Sequence, residues 1–214
     1  MRVPSHQRLL VGISGIPGAG KSTLALALAD GLSKLGKQAA IVGMDGWHYS
    51  RAQLDTFPNP AYAHARRGAA FTFDAEAFVA FASELRSPGE PFPQLHAPAF
   101  SHAEKDPIAG AISVGDARIV LIEGLYCNIS VEPWCRAAAL WDVRWLVTVP
   151  EDVARQRLVV RHVESGITRT HDEALFRGAL LLTSQHERPT EWRVDSCAHI
   201  RAHRMYRIHK LSVY

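Results

Sequence analysis

The chain alternates short apolar runs with longer stretches whose apolar residues recur every three or four positions. "RLLVGIS" (8–14), "AAIVGMD" (39–45), "RIVLIEGLY" (118–126) and "VRWLVTV" (143–149) hold few polar residues. That is the pattern of strands buried on both faces of a parallel sheet. After the first run, Lys21 to Leu35 sets Leu24, Leu28, Leu32 and Leu35 on one helical face, and Gly36 is placed to end it. A second helix is predicted from Asp74 to Arg86, with Phe78, Phe81 and Leu85 on one face and Asp74 as N-cap. Pro150, followed by Glu151 and Asp152, opens a third helix that runs to about Ser165, with Gly166 as its stop. Thr170 and Glu173, at capping-box spacing, open a fourth, which extends to about His186, and "CAHIR" (197–201) reads as a last strand. Residues 51–70 and 87–93 read as irregular, and 94–117 as short strands and turns. The strand, helix, strand order over 8–45 is a βαβ unit with a right-handed crossover. The whole predicts one three-layer α/β domain over 1–214 with a parallel central sheet and a small insertion.

Composition adds little and excludes some classes. Of the 214 residues 47% are hydrophobic and 21% charged, enough for a full core and against wholesale disorder. The formal net charge of +3 suits an anionic ligand, but the basic residues are dispersed, so no nucleic-acid partner is expected. Cys127, Cys135 and Cys197 form no CxxC pair and read as reduced, buried thiols of a cytoplasmic protein. The N-terminal segment has no long apolar core of a signal peptide, and no apolar run reaches the ~18 residues of a membrane span. A soluble intracellular protein without a membrane partner is the expectation, with a homodimer left open.

"GISGIPGAGKST" (12–23) joins the first strand to the first helix and satisfies G-x-x-x-x-G-K-[ST] from Gly15 to Ser22. Glycines at 15, 18 and 20 leave backbone N–H groups bare, so that they and the helix N-terminus can face phosphate oxygens. Ala19 belongs to the same cradle. Lys21 supplies a fixed charge for the β- and γ-phosphates, Ser22 a hydroxyl for Mg²⁺, and Thr23 reaches an inner phosphate. The expectation is a P-loop binding ATP with Mg²⁺.

A P-loop does not name the phosphate acceptor. An N-K-x-D guanine motif is absent, and the central strand ends in Glu123-Gly124 rather than Asp-Glu. A small-molecule kinase needs a base, a metal-site carboxylate and mobile cations. Asp45 ends the second strand, beside the P-loop in a parallel sheet, and is the candidate base; an ordinary Asp-Gly turn is the plain alternative. Glu123 follows four apolar residues at the sheet's carboxyl edge, where a carboxylate is costly without a role; metal coordination or a helix N-terminus would supply one. Arg157 and Arg161 share a helix face, Arg155 lies on another and Arg169 follows. The stretch 151–170 reads either as a lid over the phosphates or as a solvated basic face.

Together, "GISGIPGAGKST", "MDGWHY", "FTFD", "APAFSH", "IVLIEGLY" and "EDVARQRLVVRH" resemble the phosphoribulokinase and uridine kinase family of P-loop kinases, over roughly residues 10–165 and in family order. The resemblance implies that Asp45 is the catalytic base, that Glu123 lies near Mg²⁺, and that Asp74 of "FTFD" holds substrate hydroxyls. It also implies an acceptor pocket drawn from about 46–117, with Phe100 and His102 in its wall and His48 and Tyr49 facing it. Asp45-Gly46-Trp47-His48 departs from the Asp-Ser-Phe-Tyr of uridine kinases toward the pantothenate kinase side and toward kinase-like proteins with "DGFH". The expected activity is that of an ATP-dependent kinase for a hydroxyl of a small metabolite: a nucleoside, a pantothenate-like alcohol or a sugar. A nucleotide-driven ATPase or switch with a protein client is the alternative. Arg188 and Trp192 are placed near the adenine.

Overall fold

Residues 3–164 and 205–209 are described by the structure, a computed structural model. β1 (Leu9–Ser14), β2 (Ala39–Gly43), β5 (Ile119–Glu123), β6 (Val143–Thr148) and β7 (Met205–His209) form a sheet in the order β2-β5-β1-β6-β7. Every pairing in it is parallel. Side chains leave successive residues of a strand on opposite faces, and both faces are covered. Leu10, Val42, Val120 and Ile122 pack on one side with α4 (Ala75–Arg86) and α5 (Trp134–Ala138). Val11, Ile13 and Leu121 pack on the other with Leu24 and Ala25 of α1 (Lys21–Lys34). These two cores explain the unbroken apolar runs, and the three-layer α/β fold with a parallel central sheet is present as expected.

Differences from the sequence pattern are local. Leu35 is 72% exposed, because α1 has ended and Gly36, at φ 69°, turns the chain away. The second strand stops at Gly43, and Met44–Trp47 forms a 3-10 turn; burying Met44 and Trp47 is compatible with either conformation. The stretch 51–70 is not irregular: α2 (Arg51–Leu54) carries a capping box from Ser50 to Gln53, and α3 (Pro60–Ala65) is capped by Asn59. β3 (His96–Ser101) and β4 (Asp106–Ser113) make a separate antiparallel hairpin. α6 (Glu151–Glu164) follows Pro150 as predicted, with Arg155 paired to Glu151 at 3.1 Å away from the site. β7 had no counterpart in the pattern, whereas the expected strand at 197–201, the helix from Thr170, Arg169, Arg188, Trp192 and Cys197 lie outside the described residues. Cys127 and Cys135 are buried thiols. Among the described residues no helix is long and apolar enough to cross a membrane.

Candidate active site

Parallel register puts three strand ends at one level. Glu123 pairs with Ile13 of β1 and with Gly43 of β2, so β5 delivers its carboxylate beside the start of the P-loop and beside the turn that holds Asp45. In that turn Met44, Gly46 and Trp47 are buried and Asp45 is exposed, so packing of its neighbours aims the carboxylate outward. Asn128 braces the floor: its amide donates to Gly12 O (3.1 Å), Ser14 Oγ (3.0 Å) and Trp145 O (3.1 Å).

The P-loop is braced by its own lysine. Lys21 Nζ donates to Gly15 O at 3.0 Å and Ile16 O at 3.3 Å, closing the loop over its own cation. Burial pushes the Lys21 ammonium down from its ordinary pKa, while Glu123 and Asp45 pull it back up. Ala19 is fully buried and its N–H donates to Ile16 O at 3.1 Å, so it anchors the loop from beneath. Gly18 has φ 79°, and a Cβ there would lie 2.5 Å from Ala154 O of α6. The glycine is therefore required both by backbone conformation and by the close approach of α6.

Two connected hollows meet at this point. One, of about 420 Å³, is lined by Gly18, Gly20, Lys21, Ser22, Thr23, Arg157 and Arg161. The other, of about 360 Å³, shares Gly18, Lys21, Ser22 and Arg161 and extends past Asp45 and Glu123 to His48, Phe100 and His102. Arg157 also donates to Gly18 O at 3.4 Å, and α6 presents both arginines to the first hollow.

Ser22 Oγ donates to Glu123 Oε1 at 2.9 Å. Two oxygen donors converging beside the P-loop are the donor set that Mg²⁺ takes, with phosphate oxygens and water completing its shell. Burial raises the Glu123 carboxyl above its ordinary value, Lys21 works against that, and Asp45 adds to it. His48 Nδ1 lies 2.8 Å from Asp45 O. A carbonyl only accepts, so Nδ1 carries the proton and Nε2 is left as an acceptor. Burial lowers the His48 pKa, which keeps the ring neutral. The ring packs at a tilt against Phe73 (3.9 Å between centroids) and Phe100 (5.1 Å).

Two expected residues are elsewhere. Tyr49 does not line the cavity; its ring packs on Phe57 at 5.4 Å. Asp74 does not line it either: its carboxylate caps α4 by accepting from Ala77 N at 3.0 Å. Sequence reasoning passes over Arg51, His64, Arg67, Lys105 and Tyr126, all in the wall. The Arg66-Arg67-Gly68 turn is the one available signal, hidden in a stretch that reads as loop.

The chain matches the Phosphoribulokinase / Uridine kinase family over residues 10–172. It belongs to that family. A uridine kinase-like protein of Schizosaccharomyces pombe is 40% identical over 175 residues, 80% of this chain and 74% of the relative. The ATP-dependent kinase YFH7 of Saccharomyces cerevisiae (strain RM11-1a) is 31% identical over 196 residues, 76% of this chain but only 56% of the longer relative. A crystal structure from Silicibacter sp. TM1040, assigned by name alone as a fructose transport system kinase, superimposes with a TM-score of 0.75 at 34% identity, covering 86% of each chain. The family is one of kinases, these relatives are named as kinases, and the family's P-loop implies use of ATP.

Gly46, in Asp45-Gly46-Trp47-His48, lies against the β3–β4 hairpin. A Cβ at Gly46 would sit 2.2 Å from Pro98 O of the β3–β4 hairpin, so the hairpin rests directly on the turn bearing Asp45. Gly46→Ala should force the two apart, destabilising the protein by about 1–3 kcal/mol and lowering kcat with the acceptor more than affinity for nucleotide. Thermal denaturation would read this as a drop of several degrees, at ~2–4 °C per kcal/mol. An unchanged melting temperature would show that the contact is not tight.

Proposed function

We propose that the protein is an ATP-dependent phosphotransferase that moves the γ-phosphoryl group to a hydroxyl of a small metabolite. One observation carries the reading: Lys21, Ser22, Asp45 and Glu123 all border a single cavity that continues from the phosphate groove into a half-open space of metabolite size. A switch acting on a protein client has no need of such a pocket behind its P-loop.

In the proposed reaction the bond from the γ-phosphorus to the bridging oxygen of ADP breaks as the acceptor oxygen bonds to phosphorus. Asp45 accepts the acceptor's hydroxyl proton. Lys21 and the arginines of α6, Arg157 and Arg161, balance charge on the phosphoryl oxygens, and α6 acts as the near edge of a lid. Ser22 and Glu123 would hold Mg²⁺, which neutralises phosphate charge and polarises the transferred group when bound. His48 keeps its neutral Nε2 as an acceptor for a second donor group of the substrate.

The test is ADP formation from ATP and Mg²⁺ with and without a panel of nucleosides, sugars, sugar phosphates, glycerate and pantothenate. Stimulation by a hydroxyl acceptor, with a phosphorylated product by mass spectrometry, is the expected result. Steady hydrolysis indifferent to every acceptor would favour the switch.

A further inference from the structure

The acceptor end of the cavity is far more cationic than a neutral substrate requires. Lys21 and Arg161 are shared with the phosphate groove and serve the nucleotide. The remaining wall, built from α2, the turn after α3 and the β3–β4 hairpin, still brings Arg51, Arg67 and Lys105, with His64 and His102 beside them. The carboxylates that line the cavity, Asp45 and Glu123, are both at the strand ends near the P-loop. Behind the arginines stands Asp106, which accepts from Arg67 Nη2 (2.7 Å), Arg51 N (2.9 Å) and Arg51 Nε (3.3 Å). Burial works to raise the Asp106 carboxyl, but hydrogen bonds from Arg67 and Arg51 outweigh it and hold the pKa below its ordinary value. Three cations therefore face one carboxylate, and the excess is positive.

Arg67 and Lys105 are costly to keep as they are. The Arg67 side chain is only 13% exposed. Two backbone carbonyls orient it, Tyr49 O at 2.8 Å and Lys105 O at 2.5 Å, its guanidinium lies 5.3 Å from the centre of the Phe100 ring, and its Nε is buried without a hydrogen-bond partner. Lys105, at the hairpin tip, has φ 56°, and among the described residues no other non-glycine has positive φ. Glycine or asparagine would take that conformation at less cost than lysine. A strained lysine at the rim of a cavity, pinned through its carbonyl by a buried arginine, is the kind of local strain that clusters at ligand clamps. Of the two phenylalanines in the wall, Phe73 packs at a tilt against His48, and Phe100 meets both His48 and Arg67.

We infer that the phosphate acceptor is itself an anion, a hydroxylated phosphomonoester or carboxylate whose charged group sits against Arg51, Arg67 and Lys105 while its hydroxyl meets Asp45. The inference rests on the kinase reading of the same cavity. Guanidinium groups match phosphate and carboxylate oxygens in geometry as well as charge. An anion placed near the triphosphate and Asp45 also needs this compensation, since like charges at close range repel each other.

Matched pairs of acceptors test it: fructose 6-phosphate against fructose, uridine 5'-monophosphate against uridine, glycerate against glycerol, pantothenate against its alcohol. At least one anionic member should exceed its uncharged counterpart by about tenfold or more in kcat/KM, and the pair that responds separates phosphate from carboxylate. Lys105→Gly removes the charge and relieves the backbone strain, so it should fold; it should raise KM for the anionic acceptor about tenfold and leave KM for ATP unchanged. An uncharged acceptor used as well as its anionic partner would overturn the inference and leave the kinase reading standing. If no acceptor stimulates ADP formation, the kinase reading fails, and binding decides the anion site by itself. Calorimetry with inorganic phosphate and with glycerate, the P-loop being filled by a non-hydrolysable ATP analogue and Mg²⁺, would then show binding weakened by Lys105→Gly, or show none and overturn the site.

Discussion

Asp45→Asn should lower kcat by about two to four orders of magnitude while the protein still binds an ATP analogue. Asparagine keeps the size and the outward aim that buried Met44, Gly46 and Trp47 impose on this position, so geometry is preserved. What is lost is the basic oxygen that, in the proposed reaction, takes the acceptor's proton. Backbone contacts of the turn, including His48 N to Asp45 O at 3.2 Å, do not depend on the side chain. A single-turnover assay alongside an analogue titration separates the two effects. Turnover within a few-fold of the parent would remove Asp45 from the base role and leave it as a turn-opening aspartate.

Lys21→Ala should be nearly as severe, and through a different step. Lys21 bridges the loop carbonyls of Gly15 and Ile16 and faces the carboxylates Glu123 and Asp45. Its removal takes away the cation placed where charge develops during transfer, an effect of about two to three orders of magnitude in kcat. It also leaves two neighbouring carboxylates without their compensating charge, so triphosphate affinity should fall as well. Lys21→Arg should not rescue it, because a planar guanidinium cannot reproduce a point charge seated between two carbonyls. Comparable ATP affinity and turnover in Lys21→Ala would show that phosphate is held elsewhere.

On the proposed reading these two substitutions divide the cavity by function, and the inferred anion-binding wall adds a third part. Asp45 would act on the acceptor and Lys21 on the phosphoryl group. Arg51, Arg67 and Lys105 would position the acceptor by its charge. The β3–β4 hairpin links the parts: Pro98 bears on Gly46 beside the base, and Asp106 and Lys105 hold the arginines. A change in the hairpin is therefore expected to move both the hydroxyl and the anion ends of the site.

What the sequence determined by itself is what consecutive residues can express. The P-loop is one turn of chain, so its glycines, Lys21 and Ser22 are legible in order. The strands beneath it are buried on both faces and stand out as apolar runs, and β1, β2 and β5 are legible to within a few residues. Asp45 and Glu123 can be proposed because they end such runs, and parallel pairing brings strand ends together. The acceptor wall has no such local signature. Arg51 and Asp106 are 55 residues apart, and Arg67 and Asp106 are 39 apart, so only packing of the hairpin against α2 and the turn after α3 joins them. Direction is equally a tertiary matter. Tyr49 turns to Phe57 and Asp74 to its own helix end, although both lie in the segments expected to build the pocket. Periodicity records which residues are buried. Which side chains share a cavity depends on contacts between distant segments, and those exist only after the chain has closed on itself.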